Sequence, residues 1–201
     1  MDKVPKRYLP KHLTRKDKKK YSAELRKSRK AYKKGKYITR KKVKSFKSKQ
    51  SSHITRAQNI YRTSKITASP TLARKTGCST KTLKKIVQKG QGAYYSSGSR
   101  PNQTAHSWGR ARLASAITGG KAAAVDYNIL LEGCKSSSKA LKLAKQSRKK
   151  HKYGTRRVPK TKMIGGEPPL HHICMGARDG VSGCRNCCLN EPECVDTCMK
   201  A

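Results

Sequence analysis

Between Glu24 and Asp126 the chain carries no carboxylate at all; the 101 positions from 25 to 125 hold dozens of lysines and arginines instead. Compaction of such a stretch brings like charges together with no internal anion to neutralise them, so counter-ions or partners must do it. Over the whole chain 50 Lys+Arg stand against 10 Asp+Glu, a formal net charge of +40 on 201 residues. The anions able to meet that charge are nucleic-acid phosphate, anionic lipid headgroups and acidic protein faces.

The supply of core is small. Hydrophobic residues make up 34% and aromatics 5%, with one Phe and one Trp, against an ordinary apolar share of about 45–50%. This falls between globular and disordered composition. It predicts a mainly α protein: a small irregular helical middle domain, a long extended basic N-terminal arm that orders only against partners, and a small cysteine-rich C-terminal tail. No apolar run approaches the roughly 20 residues of a membrane-spanning helix. The opening Met1-Asp2-Lys3-Val4-Pro5-Lys6 lacks the apolar core of a signal peptide. The expectation is a protein kept in the cytosol or nucleus, with which eight cysteines sit awkwardly, because reducing compartments disfavour structural disulfides.

Charge divides the chain. Residues 1–50 hold 22 Lys+Arg and three acids, Asp2, Asp17 and Glu24, whereas 163–201 hold three basics, five acids and six cysteines. The expected organisation is a basic arm over 1–50, a helical domain over 51–150, a basic to Pro/Gly linker over 151–170, and a cysteine-rich helical hairpin over 171–201. In the arm, Thr14-x-x-Asp17 resembles a capping box opening a helix over about 14–34 that Gly35 closes. Tyr21, Leu25 and Tyr32 form its narrow apolar stripe, and residues 36–50 read as extended. In the middle, Ile54, Ala57 and Tyr61 recur at helical spacing. Ser69-Pro70 starts a helix over about 70–77 that Gly77 ends. The next helix stops at Gly90, an irregular turn covers 90–101, and helical patterns resume from Trp108 to Ile117. A further helix spans Lys121 to Glu132 with Val125, Ile129 and Leu130 buried, and a basic helix covers 137–150.

Leu72-Ala73-x3-Gly77-x5-Leu83-x2-Ile86 matches a helix-turn-helix-like hairpin over 70–89, which an ordinary helical hairpin matches equally well. Its second helix would turn Lys81, Thr82, Lys84 and Lys85 outward for phosphate contact. No Asn, Gln or Arg lies on that face near the helix start, so base-specific reading is not expected. The candidate anion, nucleic-acid or partner contacts are therefore these three lysines and the cations of the arm. On the arm helix they are Lys16, Lys18, Lys19, Lys20, Arg26, Lys27, Arg29 and Lys30. At and beyond its end they are Lys33, Lys34, Arg40, Lys41 and Lys42. Tyr94, Tyr95 and Trp108 lie among basic residues, a combination used for stacking on bases; the competing reading is core packing, favoured for Trp108.

In the tail, Cys184-x3-Cys188 and Cys194-x3-Cys198 each put two sulfurs one helical turn apart. Antiparallel helices would pair Cys184 with Cys198 and Cys188 with Cys194, leaving Cys174 for Cys187. The alternative is zinc held by Cys184, Cys187, Cys194 and Cys198, although the gap between the pairs is shorter than the roughly 12–20 residues of ordinary zinc ribbons. Cys78 and Cys134 read as buried small residues. Paired carboxylates, a phosphate-binding loop and oriented histidines are all missing from the pattern. The expectation is a protein that is not an enzyme, has no small-molecule substrate, and needs no cofactor unless the tail holds zinc.

The run KRYLPKHLTRKDKKK, the segments SRKAYKKGKYITRKKVKSFKSK and LARKTGCS, and the stretch Gly92-Ala93-Tyr94, Arg100-Pro101 and Trp108 to Arg112 resemble a basic-protein family of large double-stranded DNA viruses, including algal giant viruses. The resemblance covers about residues 6 to 145 and stops short of the cysteine-rich tail. It implies a virion protein made in the host cytoplasm, a minor capsid component beneath the outer shell. Its implied partners are other capsid proteins, including the major capsid protein, and an anionic internal membrane. A DNA-condensing protein bound nonspecifically to the genome is the alternative, and a helix-turn-helix regulator stands behind both. Viruses of this kind typically encode a thiol oxidase, which would permit disulfides in the cytosol.

Overall fold

Hydroxyl side chains, not carboxylates, cap five of the eight α-helices described. The computed structural model describes residues 3–151 and 159–164. These form β1 (Lys3–Pro5), α1 (Arg15–Lys33), α2 (Ser52–Tyr61), α3 (Pro70–Thr76), α4 (Thr80–Ser96), α5 (Ala105–Ile117), α6 (Lys121–Val125), α7 (Tyr127–Gly133), α8 (Lys139–Lys150) and β2 (Lys160–Lys162). Thr14, Ser69, Ser79, Thr104 and Ser138 each accept a hydrogen bond from the backbone N–H three residues on. Each such cap contributes about 0.5–2 kcal/mol. Only α1 has an acid in its first turn, Asp17; α2, α6 and α7, which follow Ser51, Gly120 and Asp126, have no side-chain cap. At Thr104 even the reciprocal half of the capping box comes from Ser107.

The main core lies between α2, α4, α5, α7 and α8. Leu83 and Ile86 meet Leu113, Ile117 and Leu130, with Tyr61, Leu72 and Leu141 closing the sides. Burying each large aliphatic side chain contributes about 1.5–3 kcal/mol. The α4–α5 contact is the most extensive and corrects an expectation: α4 does not stop at Gly90 but runs to Ser96, so most of the expected irregular turn is helix. Gly90 is there for proximity. A Cβ on it would come 2.7 Å from the Gly109 Cα, and one on Gly109 would come 2.8 Å from the Val87 carbonyl oxygen. Two glycines face to face let the helix backbones touch, which more than offsets the helix propensity they lack.

The single helix expected over 121–132 is two. The chain breaks at Asp126, which is fully buried. It accepts two hydrogen bonds from Arg112, 2.7 and 2.8 Å, and lies 2.9 Å from the Lys89 ammonium. Turning this carboxylate inward rotates its neighbour outward, so Val125 is 46% exposed rather than buried. Leu130 is buried as expected and Ile129 is partly so.

The N-terminal fifty residues are not an extended arm. Val4, Tyr8, Leu9, Leu13, Tyr21, Leu25 and Val43 form a second apolar cluster with Met163, against which Trp108 and Phe46 pack. α1 contacts α4, and its apolar stripe and end are as the sequence indicates; of the expected capping box only the Thr14 half forms, since Thr14 N–H donates to Ser45 Oγ and the Asp17 carboxylate is taken by Ser45 N–H. The segment expected to be a plain linker also contributes: β2 pairs antiparallel with β1, Val4 opposite Thr161. The composition misleads here because the cluster is assembled from pieces up to 159 positions apart. The chain divides into two units, 1–164 and 165–201. The expected pairings Cys184–Cys198, Cys188–Cys194 and Cys174–Cys187, and the alternative zinc set, lie outside the described residues.

Cys78 is buried as expected and Cys134 only partly so, and the two form a disulfide bridging 56 positions. The bond joins the α3–α4 turn to the end of α7, beside two backbone hydrogen bonds, Ser79 N–H to the Gly133 carbonyl and Lys135 N–H to the Gly77 carbonyl, both 2.8 Å. Gly77 itself ends α3 with φ 70°, and a Cβ there would also strike Ser138 at 2.9 Å.

Three substitutions test these contacts through stability. Replacing both Cys78 and Cys134 by Ala opens a loop of that size and should cost about 4 kcal/mol in urea denaturation, with the helical circular dichroism of the native state retained. Gly90→Ala should cost about 1–3 kcal/mol by overpacking. Gly92→Ala, in the same helix but 3.8 Å from only the Tyr32 hydroxyl, should be neutral or stabilising by up to about 1 kcal/mol.

Candidate polyanion interface

α1 buries Tyr21, Ser22, Leu25 and Ser28. At 100° per residue the opposite face carries Lys16, Lys20, Lys27, Lys30 and Lys34, with Lys19 at its edge, all exposed. This is a lysine ridge along a helix of about 28 Å. Lys33 is also exposed, while Lys18, Arg26 and Arg29 are half-buried; Lys18 and Arg29 fall on the same side as Ser22 and Leu25, and the buried Nη1 of Arg29 departs from the outward anion contact expected of it.

The chain then reverses and runs back along α1. Ser28 Oγ donates to the Ile38 carbonyl oxygen at 3.5 Å, Glu24 Oε2 accepts from Lys41 N–H at 3.0 Å, and Asp17 Oδ2 accepts from Ser45 N–H at 2.7 Å. On its other side Asn102 clamps the same segment: its Oδ1 accepts from Val43 N–H at 2.8 Å, and its Nδ2 donates to the Val43 and Phe46 carbonyls at 2.9 and 2.6 Å. The two described acids of this region are thus engaged by backbone N–H groups and do not form ion pairs with lysines. The hydrogen bond from Ser45 N–H holds the Asp17 carboxyl below the usual aspartate value of 3.8. Lys41 and Lys42 face outward from the returning segment, extending the cationic surface beside the ridge.

Arg40 departs from its expected role as an anion contact. It is 5% exposed, its guanidinium sits 3.6 Å from the Tyr94 ring centroid, and it donates to Ser28 Oγ, the Tyr94 carbonyl and Ser99 Oγ at 2.8–3.0 Å. A charge so engaged ties α1, the returning segment and the end of α4 together. Tyr21 closes the same junction by donating to the Ser99 and Arg100 carbonyls, both 3.0 Å; burial pushes its phenol up. Tyr61 is likewise raised by burial and donates to the Ile117 carbonyl at 2.6 Å.

On α4, Lys81, Lys84 and Lys85 are exposed, but Thr82 is buried beneath Gly133 rather than outward. Lys85 lies 3.9 Å from Glu132 with both side chains exposed, an ion pair worth little. Tyr94 is buried. Trp108 is half-buried with its ring edge-on to Tyr8, centroids 5.9 Å apart, as the core reading expected. Tyr95 is neither core nor isolated: it stacks with Tyr32 and meets Tyr37 edge-on. The sequence pattern did not single out Tyr37 or the Asp126–Arg112–Lys89 group. Tyr37 stands in a KKGKY run whose charges hide it. Among the described residues no three His, Cys, Asp or Glu side chains converge as a metal site, and no helix is long and apolar enough to cross a membrane.

The profile of a family of unknown function (DUF5824) matches residues 5–132. That span contains all sixteen candidate cations and ends before Cys134. No curated protein and no solved structure matches the chain.

Asp17→Asn tests the clamp between α1 and the returning segment. Because the folded carboxyl is depressed, its contribution is present above the unfolded value and lost as pH falls through the folded one. The variant should therefore be less stable than the wild type at neutral pH, with the difference closing as pH falls below the ordinary aspartate value of 3.8. Urea midpoints measured across that range check it.

Proposed function

The chain belongs to this family of unknown function, and we propose that it is a non-enzymatic virion protein of a large DNA virus that binds nucleic-acid phosphate without sequence preference through a fixed lysine face. One observation carries the phosphate half of this reading. The exposed ridge of α1 and the outward lysines of the returning segment form one surface, from which the two nearby acids are withdrawn as backbone acceptors. A rigid row of ammonium groups at one to two helical turns suits a backbone of repeating phosphates, and releasing condensed counter-ions supplies the affinity. The virion half rests on the sequence resemblance over about residues 6 to 145.

The bridging role, in which a loose arm runs along neighbouring capsid proteins or an internal membrane, has less support. Residues 3–50 pack on the chain's own core, so little of that length is left to reach outward. A regulatory role has less still: near its start the exposed face of α4 carries lysines and no Asn, Gln or Arg, and the exposed Gln88 comes only two turns in.

Binding to duplex DNA should be independent of sequence and steeply dependent on salt. Contact with about 10 phosphates gives a log–log slope near −9. Replacing Lys16, Lys20, Lys27 and Lys30 by Gln should flatten that slope by about 3 to 4 while leaving the fold unchanged. A slope insensitive to this substitution sinks the ridge as the contact surface. Retention of the protein in particles freed of DNA would favour the minor capsid role instead.

A further inference from the structure

Three tyrosines meet at the surface where α1 ends, and nothing in the core requires them. Tyr32 and Tyr95 lie with planes 9° apart and centroids at 6.2 Å; Tyr37 meets Tyr32 edge-on at 5.9 Å and Tyr95 at 5.1 Å. Tyr37 is 68% exposed, the most exposed of the large apolar side chains described. Three of the five buried tyrosines, Tyr21, Tyr61 and Tyr94, hydrogen-bond through their hydroxyls. Among the described residues Tyr32, Tyr37 and Tyr95 do not. The patch is nevertheless held from behind: Tyr95 abuts Tyr94 edge-on at 5.0 Å, and Tyr94 carries the Arg40 guanidinium on its face.

The surroundings decide what such a patch can receive. Lys33, Lys34 and Lys36 occupy the sequence between Tyr32 and Tyr37, all exposed, and the lysine ridge leads directly into them. An apolar protein surface would meet three ammonium groups here that have no ion pair among the described residues. A strand of nucleotides offers both complements at once, a planar base for the ring and a phosphate for each lysine. In a duplex the base faces are already stacked on one another, so only unpaired nucleotides can use the ring. We infer that Tyr37, supported by Tyr32 and Tyr95, is a stacking platform for unpaired bases, which makes single-stranded nucleic acid the preferred ligand of the lysine face. The inference rests on the phosphate-binding reading above and adds selectivity to it.

The test compares three probes of equal phosphate number on the full chain by fluorescence anisotropy at fixed salt: an oligothymidylate of about 12 nucleotides, the same strand with abasic sites, and a duplex. The wild type should bind the base-bearing strand more tightly than the abasic one and show quenching of tyrosine fluorescence with the former alone. Tyr37→Ala should weaken oligothymidylate binding about five- to tenfold, the lower part of the range for loss of one stacked base. It should leave the abasic strand and the duplex unchanged, and Tyr37→Phe should restore binding. Equal affinity for base-bearing and abasic strands, or equal loss on all three probes in Tyr37→Ala, overturns the platform while leaving phosphate binding intact. Failure to bind any probe at low salt overturns both readings.

Discussion

The helical core is organised around one buried carboxylate. Asp126 has no exposed side-chain surface, and it draws Arg112 from α5 and Lys89 from α4 to the break between α6 and α7. An isolated carboxylate could not be buried there, nor two cations brought so close, without each other. The arrangement fixes where one helix must end and the next begin, which is why α6 is a single short segment and why Val125 faces water. The glycine contact between α4 and α5 depends on the same alignment, since Arg112 also lies beside Gly90.

Elsewhere the few carboxylates are used differently. Asp17 and Glu24 sit two helical turns apart on one edge of α1 and accept from the backbone of the returning segment, holding from one side the strand that Asn102 holds from the other. Structural order is obtained with two acids, and the ammonium groups around them keep their charge unmatched. Inside the core a carboxylate neutralises cations; at the surface, carboxylates organise backbone and leave cations available. That division allows a protein of this charge both to fold and to present its charge outward.

Local signals in the sequence were sufficient for the helices whose ends are marked by hydroxyl and proline: Thr14, Ser69 with Pro70, and Gly77 lie where their types indicate. Glycine was ambiguous because it serves both to end helices and to bring them together. Gly77 does the first and Gly90 the second, and only the presence of Gly109 across the contact distinguishes them. The folded state of the N-terminal segment was illegible for a related reason. Its partners are distant: Tyr21 with Ser99, Arg40 with Tyr94, Val43 with Asn102, Val4 with Thr161. No window of sequence contains both halves of any of these pairs, and composition alone made the segment look coreless. The Cys78–Cys134 bond was hidden in the same way. On the surface, the cationic character of α1 was plain, but its division into exposed Lys16, Lys20, Lys27 and Lys30 and half-buried Lys18, Arg26 and Arg29 was not, nor was the inward turn of Arg40, because an arginine among lysines carries no mark of burial.

The short ladder between β1 and β2 has a mechanical meaning. Lys3 lies opposite Lys162 and Pro5 opposite Lys160, so the two ends of the described unit enter and leave at the same edge. Tension applied across those ends would not shear the ladder as a whole but open it pair by pair, the mode that resists least force. The strands would part, and Met163 would leave its apolar cluster, before any load reached α1. Behind that release the bond between Cys78 and Cys134 closes a covalent ring around α4 to α7. A pull on the termini would lengthen the protein at its rim and leave its centre whole.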